Sequence, residues 1–484
     1  MKFLVLNKTI SQDSFLRNQL SIESYADLIV GRKNYVDYLI ELVPELKNYQ
    51  IIFVEENITD MDQFKSILNY RNIKISDLEA TSFFLFYDLA YFPKDPELLN
   101  NIFSKIQYTE EKVNFYSAKE KLAIFKLPIN ELIKRGSQSL DIDISNKFLD
   151  TRLTSDVLDL FSSNFQIRYF NQLKASQSYY IKSSSNSLKM RAEYNFLTNI
   201  PSPLKPFFPQ VGELKNNSYE IEKIYTFDLS KLLINKVLQK QSIVDKLLVK
   251  LKEYLEACPV KTIDSQVFGK SMTDNFVTKS QKRLEDTKKL SLFDKLNQIT
   301  QMQGFKDFDD LYSQIFDAIK EFISSGKDKS LYFSHGDLCF SNILFDPHTF
   351  AIKLIDPRGF ENTIEETYRP IYYDLAKLSH SFCGMYDLIV YDMFEIKINE
   401  NASLELVYLI DQSYRDQLKS QFEDFMKSIG YDPSLIRLFE ASLFISMIPL
   451  HQDSNTRMIA QCLQAIDSLR AYQMSSKGKK SVSS

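Results

Sequence analysis

The sequence predicts an α+β protein in which a small α/β domain precedes a larger, mostly helical part. Residues 1 to about 135 alternate between strand and helix patterns, which is typical of a compact α/β domain. Beyond Asp228, apolar residues recur at helical spacing through most of the chain. A well-marked β-hairpin interrupts these helices, with turn residues at 346–349.

The N-terminal part contains apolar segments that predict buried strands at residues 2–6, 51–55, 82–86 and 122–126. A helix capped by Thr59 would place Phe64, Ile67 and Leu68 on one face, and a second helix is predicted over residues 98–106. We expect this domain to occupy residues 1–150. Residues 136–145 are polar and rich in turn formers, so they are the candidate boundary.

Asp88 follows one of these strands, and its position resembles that of the metal-binding Asp in nucleotidyltransferases and glycosyltransferases of the A type. A degenerate relative of that fold is therefore one candidate for the N-terminal domain. Such enzymes carry a glycine-rich phosphate loop after the first strand, whereas this chain has no glycine before Gly31. An isolated Asp after a strand is more often a turn residue.

The composition is that of a globular protein. The chain has 484 residues, 44% of them hydrophobic, and a net charge of −4, which leaves room for two or three domains. The sequence contains no dominant block of basic residues, so it gives no indication of nucleic-acid binding. The four scattered cysteines form no C-x-x-C pair, which favours a reducing compartment over a disulfide framework or a zinc site.

The apolar runs are short. Residues 1–7 are too short an apolar run for the core of a signal peptide, and residues 441–450 are far below the length that spans a bilayer. We therefore expect a cytoplasmic protein with no membrane span.

Two carboxylates and one carboxamide occur around the predicted hairpin. Asn342 comes directly before the first strand and Asp356 directly after the second, so antiparallel pairing should bring them together at the open end. Asp337 lies in the loop that enters the same end. Each residue alone could be a turn or cap residue, but together they match the geometric roles of an active site.

These side chains suit phosphoryl transfer. Asn and Asp oxygens are hard ligands, and Mg²⁺ is commonly held by few protein ligands together with substrate phosphates. We therefore interpret Asn342 and Asp356 as metal ligands. Asp337 is then free to accept the proton of an attacking hydroxyl.

The sequence His335-Gly336-Asp337, followed by Asn342 and Asp356, resembles the aminoglycoside phosphotransferase and choline kinase family, which shares the protein-kinase fold. Protein kinases have H-R-D and D-F-G at the corresponding places. Here Gly336 replaces the Arg, and Asp356 is followed by Pro-Arg-Gly, both of which look more like the small-molecule branch. The resemblance covers roughly residues 160–475.

This resemblance implies a bilobal, kinase-like phosphotransferase fold. Its small lobe would span residues 151–227, its large lobe residues 228–475, and residues 476–484 would form a disordered tail. In the family, a strand lysine contacts the nucleotide phosphates and a helix glutamate holds it, and Lys182 and Glu193 match those places. Asp374 matches an Asp that supports the catalytic loop.

The nucleotide site is less well defined by the sequence. Strands are predicted at residues 165–170 and 178–181, with a link at 171–177 that would cover the phosphates but contains no glycine. A further strand, residues 218–225, would lead into the hinge, where backbone groups near Glu222 and Ile224 would meet the purine. Whether the donor is ATP or GTP stays open.

The resemblance implies a magnesium-dependent kinase that transfers phosphate from ATP or GTP to a hydroxyl of a sugar, polyol or amino alcohol. An added α/β domain resembles bacterial enzymes of surface or capsule polysaccharide biosynthesis. Arg358 would contact phosphate or acceptor, or form a salt bridge. A bifunctional transferase, a non-catalytic binding module and a metal-dependent hydrolase remain alternatives, and the oligomeric state stays open.

Overall fold

In the computed structural model the chain forms two compact units, Met1–Ile167 and Arg168–Ser484. The structure describes every residue except 31, 56–60, 72, 80–81, 107–110, 119–120, 129–138, 145–146, 164–170, 176–178, 216, 327, 401–402 and 483–484. The chain is of mixed α and β content, as predicted.

The first unit is built on a six-stranded sheet with the order β4-β1-β5-β8-β7-β9. Its strands are β1 (Lys2–Asn7), β4 (Gln50–Val54), β5 (Phe83–Asp88), β7 (Lys112–Ala118), β8 (Lys121–Pro128) and β9 (Ser139–Asp143). The central strand β1 pairs in parallel with β4 and β5, whereas β8 runs antiparallel to both of its neighbours. The smaller strands are β2 (Ile29–Val30), β3 (Lys33–Asn34), β6 (Tyr91–Pro93) and β10 (Phe148–Asp150).

The helices of this unit are α1 (Phe15–Leu20), α2 (Tyr35–Leu42), α3 (Met61–Tyr70), α4 (Pro96–Ile106) and α5 (Thr154–Ser163). The core of the unit joins Phe64 and Leu68 of α3 to alternate residues of β1 and β5, such as Phe3 and Phe84. Ile67 packs against the same cluster. The predicted strands and helices of this part are therefore confirmed, because their apolar periodicity was unambiguous. Thr59, the predicted cap, lies outside the described residues.

One prediction for this unit was wrong. Residues 139–143, assigned to a polar boundary, form β9, which pairs in parallel with β7 at the edge of the sheet. The segment Ser-Leu-Asp-Ile-Asp does alternate with the period of a strand, but most of it is exposed, so its composition resembled that of a loop.

The second unit opens with an antiparallel sheet of the order β11-β12-β13, formed by β11 (Asn171–Ala175), β12 (Tyr179–Ser184) and β13 (Ser218–Glu222). The helix α6 (Ser187–Thr198) follows β12, as predicted. The first hairpin was misplaced in the sequence analysis. Its first strand is residues 171–175, which had been assigned to the phosphate-covering link, and the predicted strand 165–170 lies outside the described residues.

The remainder of this unit is mainly helical. Its helices are α7 (Leu229–Ile234), α8 (Gln241–Ala257), α9 (Ser265–Met272), α10 (Lys279–Lys288), α11 (Phe293–Met302), α12 (Phe308–Ser324), α13 (Tyr372–Phe382), α14 (Tyr386–Val390), α15 (Gln412–Ser428), α16 (Pro433–Met447) and α17 (Asn455–Val482). A π-helical segment, Thr273–Thr278, joins α9 to α10. Helix α17 continues through residues 476–482, where the composition had predicted a disordered tail.

Short strands position the loops between these helices. One sheet joins β14 (Phe227–Asp228) to the hairpin β17 (Ile343–Phe345) and β18 (Ile352–Leu354), which confirms the predicted hairpin. A second joins β15 (Val260–Thr262), β16 (Ser330–Phe333) and β19 (Tyr368–Arg369). The hairpin β20 (Phe394–Ile398) and β21 (Leu404–Tyr408) was not predicted.

Among the described residues, one helical segment, Pro433–Leu450, is long and apolar enough to span a membrane. Its mean hydropathy is 1.4, and 78% of it is buried inside the structure. Such burial is typical of a core helix.

Candidate active site

The loop between β16 and β17 carries the predicted catalytic residue, and a buried histidine shapes it. His335 is fully buried, and its Nε2 lies 2.9 Å from the carbonyl oxygen of Ile355. A carbonyl only accepts, so Nε2 carries the proton and Nδ1 is free to accept from the backbone N–H of Asp337, at 3.2 Å. Burial lowers the pKa of His335, and the neutral ring therefore links this loop to the end of β18.

Asp374, in the first turn of α13, holds the other side of the same loop. Its carboxylate accepts from the Ser334 hydroxyl at 2.8 Å and from the backbone N–H groups of His335 and Gly336 at 3.0 and 2.9 Å. The Asp374 side chain is buried. Hydrogen bonds between a carboxylate and backbone N–H groups are strong in such surroundings, so α13 and the loop are held as one piece.

The Asp337 carboxylate lies between two partners. The Lys377 ammonium is 2.9 Å from its Oδ1. The Asn342 amide donates to the Asp337 carbonyl oxygen at 2.8 Å and to Oδ2 at 3.2 Å. About a fifth of the Asp337 side chain stays exposed (22%), so it can still be reached from solvent.

The hairpin β17–β18 joins the two predicted metal ligands. The backbone N–H of Ile355 donates to the Asn342 carbonyl oxygen at 3.0 Å, which places Asp356 next to Asn342 along the ladder. Asp356 has a φ of +57°, in the left-handed region that a residue with a side chain seldom adopts. Such backbone conformations cluster at functional sites.

Asp356 also reaches the sheet at the start of the second unit. Its Oδ1 lies 2.6 Å from the Lys182 ammonium, although 174 positions separate the two residues. Lys182 also forms an ion pair with Glu193 on α6, and the Tyr219 hydroxyl donates to the same Glu193 oxygen at 2.5 Å. The sequence-predicted pair of Lys182 and Glu193 is thus formed.

The charges of this network depend on one another. Burial alone would lower the pKa of Lys182, but the carboxylates of Asp356 and Glu193 raise it. Burial raises the pKa of Glu193, and Lys182 opposes that rise. Burial would likewise lower the pKa of Lys377, but Asp337 raises it. Both lysines therefore remain protonated at neutral pH.

The two predicted hinge residues differ in what their backbones contact. The N–H of Glu222, the last residue of β13, donates to the Gln210 carbonyl oxygen at 2.9 Å. In contrast, Ile224 lies between β13 and β14, and its backbone has no hydrogen bond to a described residue. Only Ile224 of the two therefore offers an open N–H to a ligand.

The residues around the hairpin fit a hard divalent cation. In the described part of the chain no three His, Cys, Asp or Glu side chains form a metal-binding group. Magnesium needs fewer protein ligands, because phosphate oxygens and water complete its shell. Asn342 directs its amide nitrogen at Asp337, so its oxygen is available, and the Asp356 side chain is 38% exposed.

The ion pair of Lys377 with Asp337 was not predicted from the sequence. Lys377 lies one helical turn after Asp374, in an otherwise apolar stretch of α13 that is buried throughout. A lysine there needs a partner, and that requirement was the available signal. Its partner Asp337 could be identified only from the fold.

Asp88 of the first unit, considered as a metal ligand, is already engaged. It accepts from the Ala90 N–H at 3.0 Å and lies 3.4 Å from the Arg152 guanidinium. Asp150 pairs with the same guanidinium at 2.7 Å. These contacts are what a structural carboxylate at the end of a strand makes.

Comparison with known proteins gives matches among solved structures alone. No family model and no curated protein matches the chain. An ethanolamine kinase of Plasmodium vivax aligns at 13% identity over 62% of this chain and 81% of its own, with a TM-score of 0.35. A choline kinase of Cryptosporidium parvum aligns at 14% identity over 67% and 96%, with a TM-score of 0.32.

A third match is an aminoglycoside phosphotransferase in complex with ADP and hygromycin B. It aligns at 12% identity over 66% of this chain and 98% of its own, with a TM-score of 0.36. These identities and scores are too low to decide what this chain does.

Proposed function

We propose that the second unit is a bilobal, kinase-like phosphotransferase that moves the γ-phosphate of a nucleoside triphosphate onto a hydroxyl of a small alcohol. The observation that supports this most strongly is the ion pair of Lys182 with Asp356. It joins the predicted phosphate-binding lysine to the predicted metal ligand, beside the hairpin that also carries Asn342. Ionisable groups whose pKa is shifted by burial and by a specific charge partner cluster at functional sites.

In this proposal the side chains divide into a donor-binding group and an acceptor-activating group, and Asn342 belongs to both. Lys182, held by Glu193, binds the donor phosphates, and the open backbone N–H of Ile224 meets the purine. Asn342 and Asp356 would hold Mg²⁺, which neutralises phosphate charge when bound. Asp337 accepts the proton of the acceptor hydroxyl as it attacks, while Lys377 and Asn342 keep the carboxylate oriented.

A small lobe that ends at residue 227 and a large lobe of residues 228–475 remain part of this proposal, as do ATP or GTP as donor and a cytoplasmic location. The start predicted for the small lobe, residue 151, falls in the first compact unit, since the second unit begins at Arg168. A role in bacterial surface polysaccharide metabolism rests on the sequence resemblance alone. The acceptor would be a sugar, polyol or amino alcohol of a size that reaches Asp337.

The test is transfer of labelled γ-phosphate from ATP and from GTP, with magnesium, to a panel of sugars, polyols, amino alcohols and aminoglycosides. We expect the full chain to phosphorylate one acceptor class, and Asp337→Asn to lose about 10²–10⁴-fold in rate, as expected for removal of a general base. Phosphate release that needs no acceptor would instead indicate a hydrolase. If the chain showed no transfer and no magnesium-dependent nucleotide binding, the binding module would be favoured.

A further inference from the structure

A group of basic side chains lies beside Asp337, on the aromatic residue that precedes Asp374. We call Lys279, Arg283 and Arg358 the basic cluster. The Lys279 ammonium is 6.0 Å and the Arg358 guanidinium 5.9 Å from the ring centre of Tyr373. Arg283 follows Lys279 by one helical turn on α10, so both project from the same face.

Arg358 of the basic cluster contacts the loop that carries Asp337. The Arg358 N–H donates to the His335 carbonyl oxygen at 2.9 Å. A Cβ at Gly336, the residue before Asp337, would lie 2.8 Å from the Cβ of Arg358. Arg358 is therefore packed directly over the loop that carries Asp337.

The π-helical segment Thr273–Thr278 contacts Arg358 and Tyr373, and helix α16 contacts Arg283. In the π-helical segment, Asn275 accepts from the Arg358 guanidinium at 3.1 Å, and Phe276 packs on Tyr373 with ring centres 5.5 Å apart. Arg283 donates to the Ser446 carbonyl oxygen at 3.0 Å. π-Helical turns of this kind are frequent at functional sites.

The cluster has little opposing negative charge in the described part of the chain. Burial and Arg358 lower the pKa of Arg283, and they outweigh Tyr373 and Asp337, which raise it. None of its three members forms an ion pair with a described carboxylate. Tyr373 raises the pKa of Lys279, but burial and the cations Arg283, Arg358 and Lys377 outweigh it and lower that pKa. Burial would raise the pKa of Tyr373, yet Lys279, Lys377 and Arg358 lower it. Mutual repulsion of this kind costs free energy unless an anion is bound.

We propose that the basic cluster binds an anionic group of the acceptor, so that the substrate is an alcohol that already carries a phosphate or a carboxylate. This inference rests on the proposed function and gives its substrate class. The donor phosphates have their own lysine, Lys182, in the ion-paired network of Glu193 and Asp356. The cluster instead surrounds Tyr373 and Gly336, next to the residue proposed to activate the hydroxyl.

The experiment compares matched alcohols on the full chain: glycerol, glycerate and glycerol 3-phosphate, then glucose, gluconate and glucose 6-phosphate, with ethanolamine as a cationic alcohol. Binding is measured by calorimetry and transfer by labelled phosphate. We expect an anionic member to bind and to react better than its neutral partner. The carboxylate and phosphate members distinguish the two kinds of anion.

Three variants locate the effect. Lys279→Gln and Arg283→Gln should each weaken binding and raise KM for the anionic alcohol by about tenfold to a hundredfold, as expected when one charge-assisted hydrogen bond is lost. The nucleotide KM should change little. Lys282→Gln removes one positive charge from the exposed face of the same helix, so it is the matched control and should leave both values near those of the parent.

Several results would overturn the inference. The first is that the neutral or cationic alcohols bind and react as well as the anionic ones, or better. The second is that no anionic alcohol binds. The third is that Lys279→Gln raises the KM for the nucleotide as much as the KM for the acceptor. The two proposals fail separately. If glycerol is phosphorylated but its anionic partners are not, the chain is a kinase and the basic cluster is not its acceptor site. If an anionic alcohol binds through Lys279 but is not phosphorylated, the binding site is supported and the kinase activity is not.

Discussion

Asp387 shows how strongly burial controls single side chains in the second unit. The residue lies in α14 and is 3% exposed, and its Oδ2 has no hydrogen-bond partner among the residues that the structure describes. Burial raises the pKa of Asp387 to about 7, from an ordinary value of 3.8. The folded chain therefore keeps a proton there that the unfolded chain releases in mildly acidic solution.

This difference gives stability a predictable dependence on pH. As pH rises from about 4 to about 7 the unfolded chain binds fewer protons than the folded one, so the free energy of unfolding falls over that window. Since one pKa unit corresponds to about 1.4 kcal/mol, the loss at this site is about 4 kcal/mol at most. Asp387→Asn should remove this pH-dependent loss. The free energy of unfolding of the variant, relative to that of the parent, should therefore be higher at pH 8 than at pH 4.5.

The measurement is denaturant unfolding of both proteins at the two pH values. Asp294→Asn is the control, because Asp294 is exposed on α11. Its substitution should change the free energy of unfolding by the same amount at both pH values. If the gain of Asp387→Asn over the parent were the same at pH 4.5 and pH 8, Asp387 would not be protonated in the folded protein.

Some of the site residues could be identified from the sequence and others could not. Asp337, Asn342 and Asp356 were identifiable because their spacing around one hairpin is local. The partners of Asp337 and Tyr373, in contrast, come from helices up to about a hundred residues away. The sequence around Lys377 or Lys279 does not predict which residue each lysine contacts in the fold.

At the scale of elements, the loop after Asp356 is packed tightly on α6. Gly359 has a φ of +69°, and a Cβ there would lie 2.0 Å from the Ala192 carbonyl oxygen. The neighbouring Phe360 N–H donates to that same oxygen at 3.2 Å. This contact sets the distance between Glu193, next to Ala192, and the loop that carries Asp356.

We expect Gly359→Ala to lower the free energy of unfolding by about 2–4 kcal/mol, and to weaken nucleotide binding in the protein that remains folded. The reason is that the new methyl group forces α6 away from the loop and separates Lys182 from one of its carboxylates. Unfolding curves and nucleotide titration at low temperature measure the two effects.

Gly430→Ala is the matched control for this prediction. Gly430 has a φ of +86°, but nothing lies within 4 Å of a Cβ built there. Its substitution should cost only backbone strain, about 1–2 kcal/mol, and should leave nucleotide binding intact. Similar losses of nucleotide affinity in the two variants would show that the contact of Gly359 with α6 does not position the network.

Elements were predictable where one face is consistently apolar. The helix α3 and the hairpin β17–β18 meet that condition. The strand at residues 171–175 does not, because Asn-Gln-Leu-Lys-Ala has little β-propensity and its place is decided by pairing with β12. Similarly, the exposed edge strand β9 was missed because its side chains resemble those of a loop.

At the scale of the whole molecule, the two compact units raise the question of whether both are catalytic. Asp88 is the candidate metal ligand of the first unit, yet Ala90 and Arg152 occupy its carboxylate. We therefore expect Asp88→Asn in the full chain to keep phosphate transfer within about twofold of the parent, in line with substitutions away from a reacting group. A loss as large as that of Asp337→Asn would assign the first unit a part in the reaction.

Nucleotide binding should also stabilise the molecule as a whole. A ligand that binds only the folded state adds about 2.7 kcal/mol at a concentration 100 times its Kd. We expect magnesium with a non-hydrolysable ATP analogue to raise the thermal midpoint of the full chain, and Lys182→Met to abolish that rise. An equal rise in the variant would place the nucleotide away from Lys182.

The central claim is that Asp337 acts on the acceptor while Asp356 acts on the donor, and one paired measurement tests it most directly. Magnesium-dependent nucleotide affinity and phosphate transfer are measured together in Asp337→Asn and Asp356→Asn. The predicted result is that both variants lose transfer but only Asp356→Asn loses magnesium-dependent affinity. Full transfer in Asp337→Asn, or equal loss of nucleotide affinity in both variants, would contradict the proposed division of roles.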